Sequence, residues 1–361
     1  MKYKTTLTSI LFFLLTASCA AQTSESSPTP VVAGAAYQSQ VKTGSEAQTV
    51  PSPAPFQFSL PTPGAEPISG WRPPLYPIPW AMSAYDHFYF ARPIAADQVN
   101  WPLADYRYGG IFFQNVVHTG IDIDAEDEAP IMAAGPGTVV WVGWGLFTET
   151  PGYEQDPYGL AVVVRHDFGY QNQKLYTAYA HMSKTIATIG QHVETGDLIG
   201  LVGATGATTG PHVHFEVRLG DNSFHYTLNP ELWIAPPQGW GVLVGRVMNA
   251  KGEPMSHMEV RLISEETNKN YVVKTYGSGG AVNPDPYYNE NLALGDLPAG
   301  IYKILIAYEK DKKPMQTWVE IFPGQVSYFS FKGELGFSAE RPSAPKLKSL
   351  PQFPDTPTPL P

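Results

Sequence analysis

Residues 210–217 read GPHVHFEV. Apart from His212 and His214, the run has the composition of a buried strand. In a strand, alternate side chains point to the same face, so both imidazoles face one way. Two titratable rings side by side on an apolar strand call for a chemical reason. Working outward, the neighbouring stretches are of the same kind: GTVVWVGW at 137–144, YGLAVVVRHD at 158–167, KLYTAYAHM at 174–182 and HVETGDLIGLVG at 192–203. Valine-rich runs bounded by Gly, Pro and Asp, without a helical period, predict an antiparallel β domain.

A second β pattern starts at Gly241. In GVLVGRVMNAKGEPMSHMEVRLI, Met258, Val260 and Leu262 alternate with Glu259 and Arg261. GIYKILIAYE, QTWVEIF and QVSYFSFKG follow at a spacing that predicts a small sandwich. The fold class expected is therefore all-β: an antiparallel-sheet domain followed by a β-sandwich.

The remaining histidines converge on a chemistry. VHTGIDI places His118 and Asp122 four residues apart. Thr119, Gly120, Ile121 and Ile123 disfavour a helix, and in an extended segment an even spacing puts both side chains on one face. TAYAHM contributes His181. A catalytic zinc takes about three protein ligands at ~2 Å and leaves a fourth position to water, whose pKa falls toward ~7. His118, Asp122 and one of the HVH pair could supply those three; the other histidines are then free to carry protons. His166, in VVRHDFG, is read as structural, and His87, His192, His225 and His257 fall outside the pattern.

Taken in order, VHTGIDI, LYTAYAHMS and GQHVETGDLIGLVGATGATTGPHVHFEV resemble the LytM or lysostaphin-type zinc metallopeptidases of family M23. YRYGG before the first motif and LNPELW after the last belong to the same resemblance. It implies that His118, Asp122 and His214 bind Zn2+ and that His181 and His212 are catalytic histidines without a ligand role. It further implies a zinc endopeptidase acting on peptidoglycan stem peptides or cross-bridges. Some members of the family lack ligands and activate other wall hydrolases, so the alternative is a catalytically silent envelope protein; here all five positions are filled. LGDLPAGIYKILIAY and its neighbours resemble carboxypeptidase-regulatory-like, or prealbumin-like, sandwich modules, which usually have no catalytic role.

The rest of the chain bears on location. Lys and Arg total 23 against 33 Asp and Glu, a net charge of -10, which argues against nucleic acid. MKYKTTLTSILFFLLTASC has two lysines, a short apolar core at 10–15 and small residues before Cys19, the layout of a secretory leader. LTASC resembles a lipoprotein cleavage box, and Cys19 is the only cysteine, so a lipid anchor to a membrane is expected. The expected organisation is a leader at 1–19, a Pro/Ser/Thr-rich spacer at 20–79 and an aromatic lead-in at 80–104. A peptidase domain at 105–236, a sandwich at 241–335 and a Pro-rich tail at 339–361 complete it. The aromatic stretch at 80–101 is a candidate lid over the site.

Overall fold

The computed structural model describes residues 73–95, 106–113, 116–277, 279–309 and 313–343. The leader, Cys19 and most of the spacer and of the tail lie outside them.

An eight-stranded sheet carries the first half of the described chain. Its spine is Gly137–Gly143, Leu160–Tyr170, Gln173–Met182 and His212–Leu219, paired antiparallel in that order. Ile121–Asp124 joins the far edge of His212–Leu219. The uninterrupted LAVVV of the second strand follows from cover on both faces. Val162 and Val164 pack with Tyr179, Phe215 and Trp233, while Ala161 and Val163 pack with Leu146, Tyr158 and Ala180.

Two four-stranded sheets form the sandwich. One orders Leu292–Pro298, Trp240–Met248, Val326–Lys332 and Phe337–Ser338; the other orders Asn270–Lys274, Glu259–Ser264, Gly300–Ile306 and Met315–Ile321. Trp240–Met248 and Val326–Lys332 run parallel, a departure from purely antiparallel pairing. Leu243, Val247, Phe329 and Phe331 face the partner sheet. Val242, Val244, Val326 and Tyr328 face the other way and close the core of the first half. Two-sided cover joins the sandwich to the eight-stranded sheet through a shared apolar core.

The lid expectation is corrected here. Phe88, Phe90 and Ile94 are fully buried in that shared core. Phe90 accepts from Ala235 N–H at 2.8 Å and donates to the Trp233 carbonyl at 3.0 Å. The described part of the aromatic lead-in is thus a structural strap, held by apolar burial that a lid would have to give up. Order also begins before residue 80: Leu75, within the expected spacer, is buried and bridges Pro237.

Candidate metal centre

Strand register builds the site. His214 sits directly opposite Asp122 on one side and Ala180 on the other. His118 precedes the strand Ile121–Asp124, and Gly120 lets this turn press against the histidine strand. A Cβ on Gly120 would lie 2.4 Å from the Phe215 carbonyl oxygen and 2.9 Å from His214 Nε2, so no larger residue fits.

His181 reaches the site by a different device. Between the pairs Leu160–Met182 and Val162–Tyr179, two residues oppose the single Ala161. This is a β-bulge, and His181 within it has φ +61°. An unbroken strand would send residue 181 to the Tyr179 face, away from Ala180; the bulge turns the imidazole back toward His214, ring centres 5.7 Å apart. A left-handed backbone on a non-glycine residue costs of order 1 kcal/mol or more and marks a position held for function.

Three donor atoms meet at one point. His118 Nε2, Asp122 Oδ1 and His214 Nδ1 are mutually 2.9 Å apart, and all three residues are buried. An ion ~2 Å from each atom fits above a triangle of this size, and two imidazoles with one carboxylate are a zinc donor set. Burial opposes ionisation of Asp122, but His118 and His214 override it and hold its carboxyl well below the usual range. Burial likewise pulls the His214 pKa down, yet contacts with Asp122 and Glu216 raise it to about 9. Both shifts describe a place built to hold positive charge.

His181 and His212 form the rim, ring centres 4.7 Å apart. His181 Nδ1 lies 2.8 Å from the Thr205 carbonyl oxygen, and His212 Nδ1 lies 2.8 Å from that of Gly210. A carbonyl only accepts, so each Nδ1 carries the hydrogen and each Nε2 keeps its lone pair. His212 Nε2 points inward, 3.5 Å from Asp122 Oδ1. Burial, with His214 and His212 nearby, lowers His181 to about 3; burial lowers His212 too. Both rings are therefore neutral bases at neutral pH. His166 is placed as expected for a structural residue: buried, bonded to the Pro136 carbonyl and Thr177, and lowered to about 4 by desolvation.

The sequence reading missed Glu216. It is fully buried and its Oε1 lies 3.1 Å from His214 Nε2. Oε1 also accepts from the Tyr158 and Thr119 hydroxyls, while Oε2 accepts from Arg218 Nε at 2.7 Å and pairs with Nη2 at 2.6 Å. Burial alone would protonate this carboxyl; Arg218 and His214 drive it strongly the other way. With donors on every side, Glu216 forces His214 to donate from Nε2 and so presents Nδ1 to the metal position. The parity of 212, 214, 216 and 218 on one strand face was the available signal. Nothing in the sequence pointed to Tyr158.

A buried two-histidine, one-carboxylate cluster on a β sheet, with two histidines at its rim, is a donor set that could hold a zinc ion. Residues 116–226 match the model of peptidase family M23. The DD-carboxypeptidase/endopeptidase Mpg of Neisseria meningitidis is 34% identical over 127 residues, 35% of this chain and 26% of that protein. The peptidoglycan DD-endopeptidase ShyB of Vibrio cholerae is 37% identical over 103 residues, 28% of this chain and 20% of that protein. Thus the chain spans about a quarter of the length of these curated relatives. Among solved structures, the catalytic domain of lysostaphin from Staphylococcus simulans is 25% identical, with a TM-score of 0.30, covering 35% of this chain and 86% of that one.

Proposed function

We propose that this protein is a zinc-dependent endopeptidase that hydrolyses peptide bonds in peptidoglycan stem peptides or cross-bridges. The observation that carries the reading is the triangle of His118 Nε2, Asp122 Oδ1 and His214 Nδ1 beside two histidines whose Nε2 atoms are free to take protons. ShyB, whose matched segment is similar to this domain, is a peptidoglycan DD-endopeptidase, which supports the substrate class.

His118, Asp122 and His214 would hold the metal. When bound, zinc polarises the scissile carbonyl and lowers the pKa of water at its open position. His181 and His212 then act at Nε2: one accepts the water proton, and the ring so protonated donates from Nε2 to the oxyanion or returns the proton to the leaving amine. Their neutrality suits the first role, since a ring already protonated could not accept. Glu216 keeps His214 in one tautomer throughout. No residue of the set is missing, so the silent, activator reading has no observation in its favour.

The test is hydrolysis of defined cross-linked muropeptides, read by mass spectrometry of the products. Activity should vanish with chelator and return with Zn2+; an active preparation indifferent to chelator overturns the reading. As part of the same reading, the leader at 1–19 exports the chain and Cys19 carries a lipid that tethers it to a membrane, with the residues after it as spacer. Cys19→Ala should abolish incorporation of labelled palmitate and release the protein from the membrane fraction.

A further inference from the structure

We propose that the C-terminal sandwich positions the ligand His118, so that metal affinity depends on a contact the sandwich makes outside the site. The inference rests on the reading of His118 as a metal ligand.

His118 is held by one short segment, residues 107–110. Its Nδ1 lies 3.0 Å from the Arg107 carbonyl oxygen, its N–H donates to the Gly110 carbonyl at 2.9 Å, and its own carbonyl accepts from Gly109 N–H at 2.8 Å. Ring and backbone are thus both fixed by this segment. The Arg107 carbonyl does for His118 what Glu216 does for His214: it claims the nitrogen that is not needed for the metal.

The segment in turn is held from behind by Glu231 and Thr227 of its own domain together with Tyr276, Asn283 and Gly295 of the sandwich. Arg107 Nη1 donates to Glu231 Oε2 at 2.7 Å, and the same oxygen accepts from Gly295 N–H. Gly295 and Asp296 form a bulge in Leu292–Pro298, where they together oppose the single Val242 between the partners of Gly241 and Leu243. The bulge takes an amide out of the sheet ladder and aims it at Glu231. Tyr108 OH donates to the Thr227 carbonyl at 2.7 Å and accepts from Asn283 N–H at 2.9 Å. Tyr276 covers Gly109 so closely that a Cβ there would lie 2.2 Å from its own Cβ, and its ring packs on Tyr108 at 88°. Arg107, Tyr108, Gly109, Glu231 and Tyr276 are all buried, so removing one of these partners leaves no solvent to replace it.

Asp296 supplies the control. It comes from the same bulge and pairs with buried Arg92 of the lead-in strap, without a bond to residues 107–110. Glu231→Gln, which takes the charge from the Arg107 pair, and Asp296→Asn therefore both weaken the junction, but only the first weakens the line to His118. Both are made in the full chain. Zn2+ affinity is measured by chelator competition below the melting temperature of the metal-free protein, and the visible spectrum of the Co2+ form reports ligand geometry. The expectation is an affinity about tenfold weaker for Glu231→Gln with an altered Co2+ spectrum, the low end of the range for partners of metal-bound histidines. Asp296→Asn should lower the melting temperature and leave affinity and spectrum as in the wild type. If Glu231→Gln does not fold, Tyr108→Phe, which removes only the hydroxyl bonds to Thr227 and Asn283, is read the same way. Equal affinity in wild type and the Glu231 or Tyr108 variant, or an equal loss in Asp296→Asn, overturns the inference. A wild type that takes up no metal overturns the metal-ligand reading and this inference with it.

Discussion

Two of the histidine–carboxylate contacts among the described residues stand in contrast. At the centre, His118 Nε2 and His214 Nδ1 each lie 2.9 Å from Asp122 Oδ1, with every partner buried. On the outer edge of the same sheet, His192 Nε2 lies 2.6 Å from Asp167 Oδ2, with side chains 51% and 48% exposed. Distance alone would rank the surface contact first. Energy ranks it last, because water screens an exposed pair and replaces its partners when it breaks, whereas a buried carboxylate that loses its partners keeps the full desolvation cost. At the centre that cost is offset by the contacts with His118 and His214, and the carboxylate and imidazole lone pairs that meet at one point are what a cation can use.

The largest effect should come from breaking the centre. His214→Ala removes a ligand and leaves Asp122 and Glu216 facing a cavity. Metal content should fall below stoichiometry and hydrolysis by roughly 10³-fold or more, since several kcal/mol of polarisation by the metal is lost. Metal analysis of the purified variant beside its turnover checks this. The rim should separate from the centre in the next experiment. His181→Ala deletes a proton carrier without touching the triangle, so kcat should drop about 10²–10⁴-fold while zinc stays bound. Zinc loss in His181→Ala as deep as in His214→Ala would erase the distinction between centre and rim.

How much of this was legible follows from what a strand encodes. Parity along a strand is written in the sequence, and it placed His212 with His214; His118 lies before the strand Ile121–Asp124, so the turn at Gly120, not parity, brings it to Asp122. The alternation in MEVRL likewise gave the sandwich strand Glu259–Ser264 with Val260 and Leu262 inward. Parity fails at a bulge, and His181 depends on one; its backbone at φ +61° leaves no mark that separates it from the preceding strand residues. Long-range pairing fails too. Arg107 with Glu231, and Tyr158 with Glu216, are 124 and 58 residues apart, and no local pattern announces them. The aromatic lead-in was misread because exposure cannot be told from composition: Phe88 and Phe90 suit a lid and a core equally until their neighbours are known.

A smaller effect tests the carboxylate behind the centre. Glu216 faces the Tyr158 and Thr119 hydroxyls and His214 Nε2 with one oxygen, and Arg218 with the other. In Glu216→Gln, either orientation turns an NH2 group toward a donor. Zinc affinity should weaken about 10–100-fold in chelator competition, with all three ligands still present. Unchanged affinity would mean that His214 is oriented by packing alone.

The smallest effect belongs to the exposed pair, and its direction is opposite in pH. The hydrogen bond to Asp167 raises the His192 pKa against a slight loss of solvation, and Asp167, Glu194 and Asp197 add to the rise. A histidine whose folded pKa lies above its unfolded value binds more protons when native, so its contribution is complete below ~6.5 and disappears as pH rises through the folded value. Asp122, held low, runs the other way: its contribution is present above the ordinary carboxylate range and is lost as acid protonates it. His192→Ala should therefore lower the melting temperature slightly at pH 5, in keeping with the ~0.2–1 kcal/mol of exposed pairs, and not at pH 9. Added salt should shrink the pH 5 difference, since charges in contact with solvent are screened within ~10 Å at 0.1 M. A His192→Ala penalty that is the same at both pH values would show that the ring stabilises by packing, and that the 2.6 Å contact contributes nothing as an ion pair.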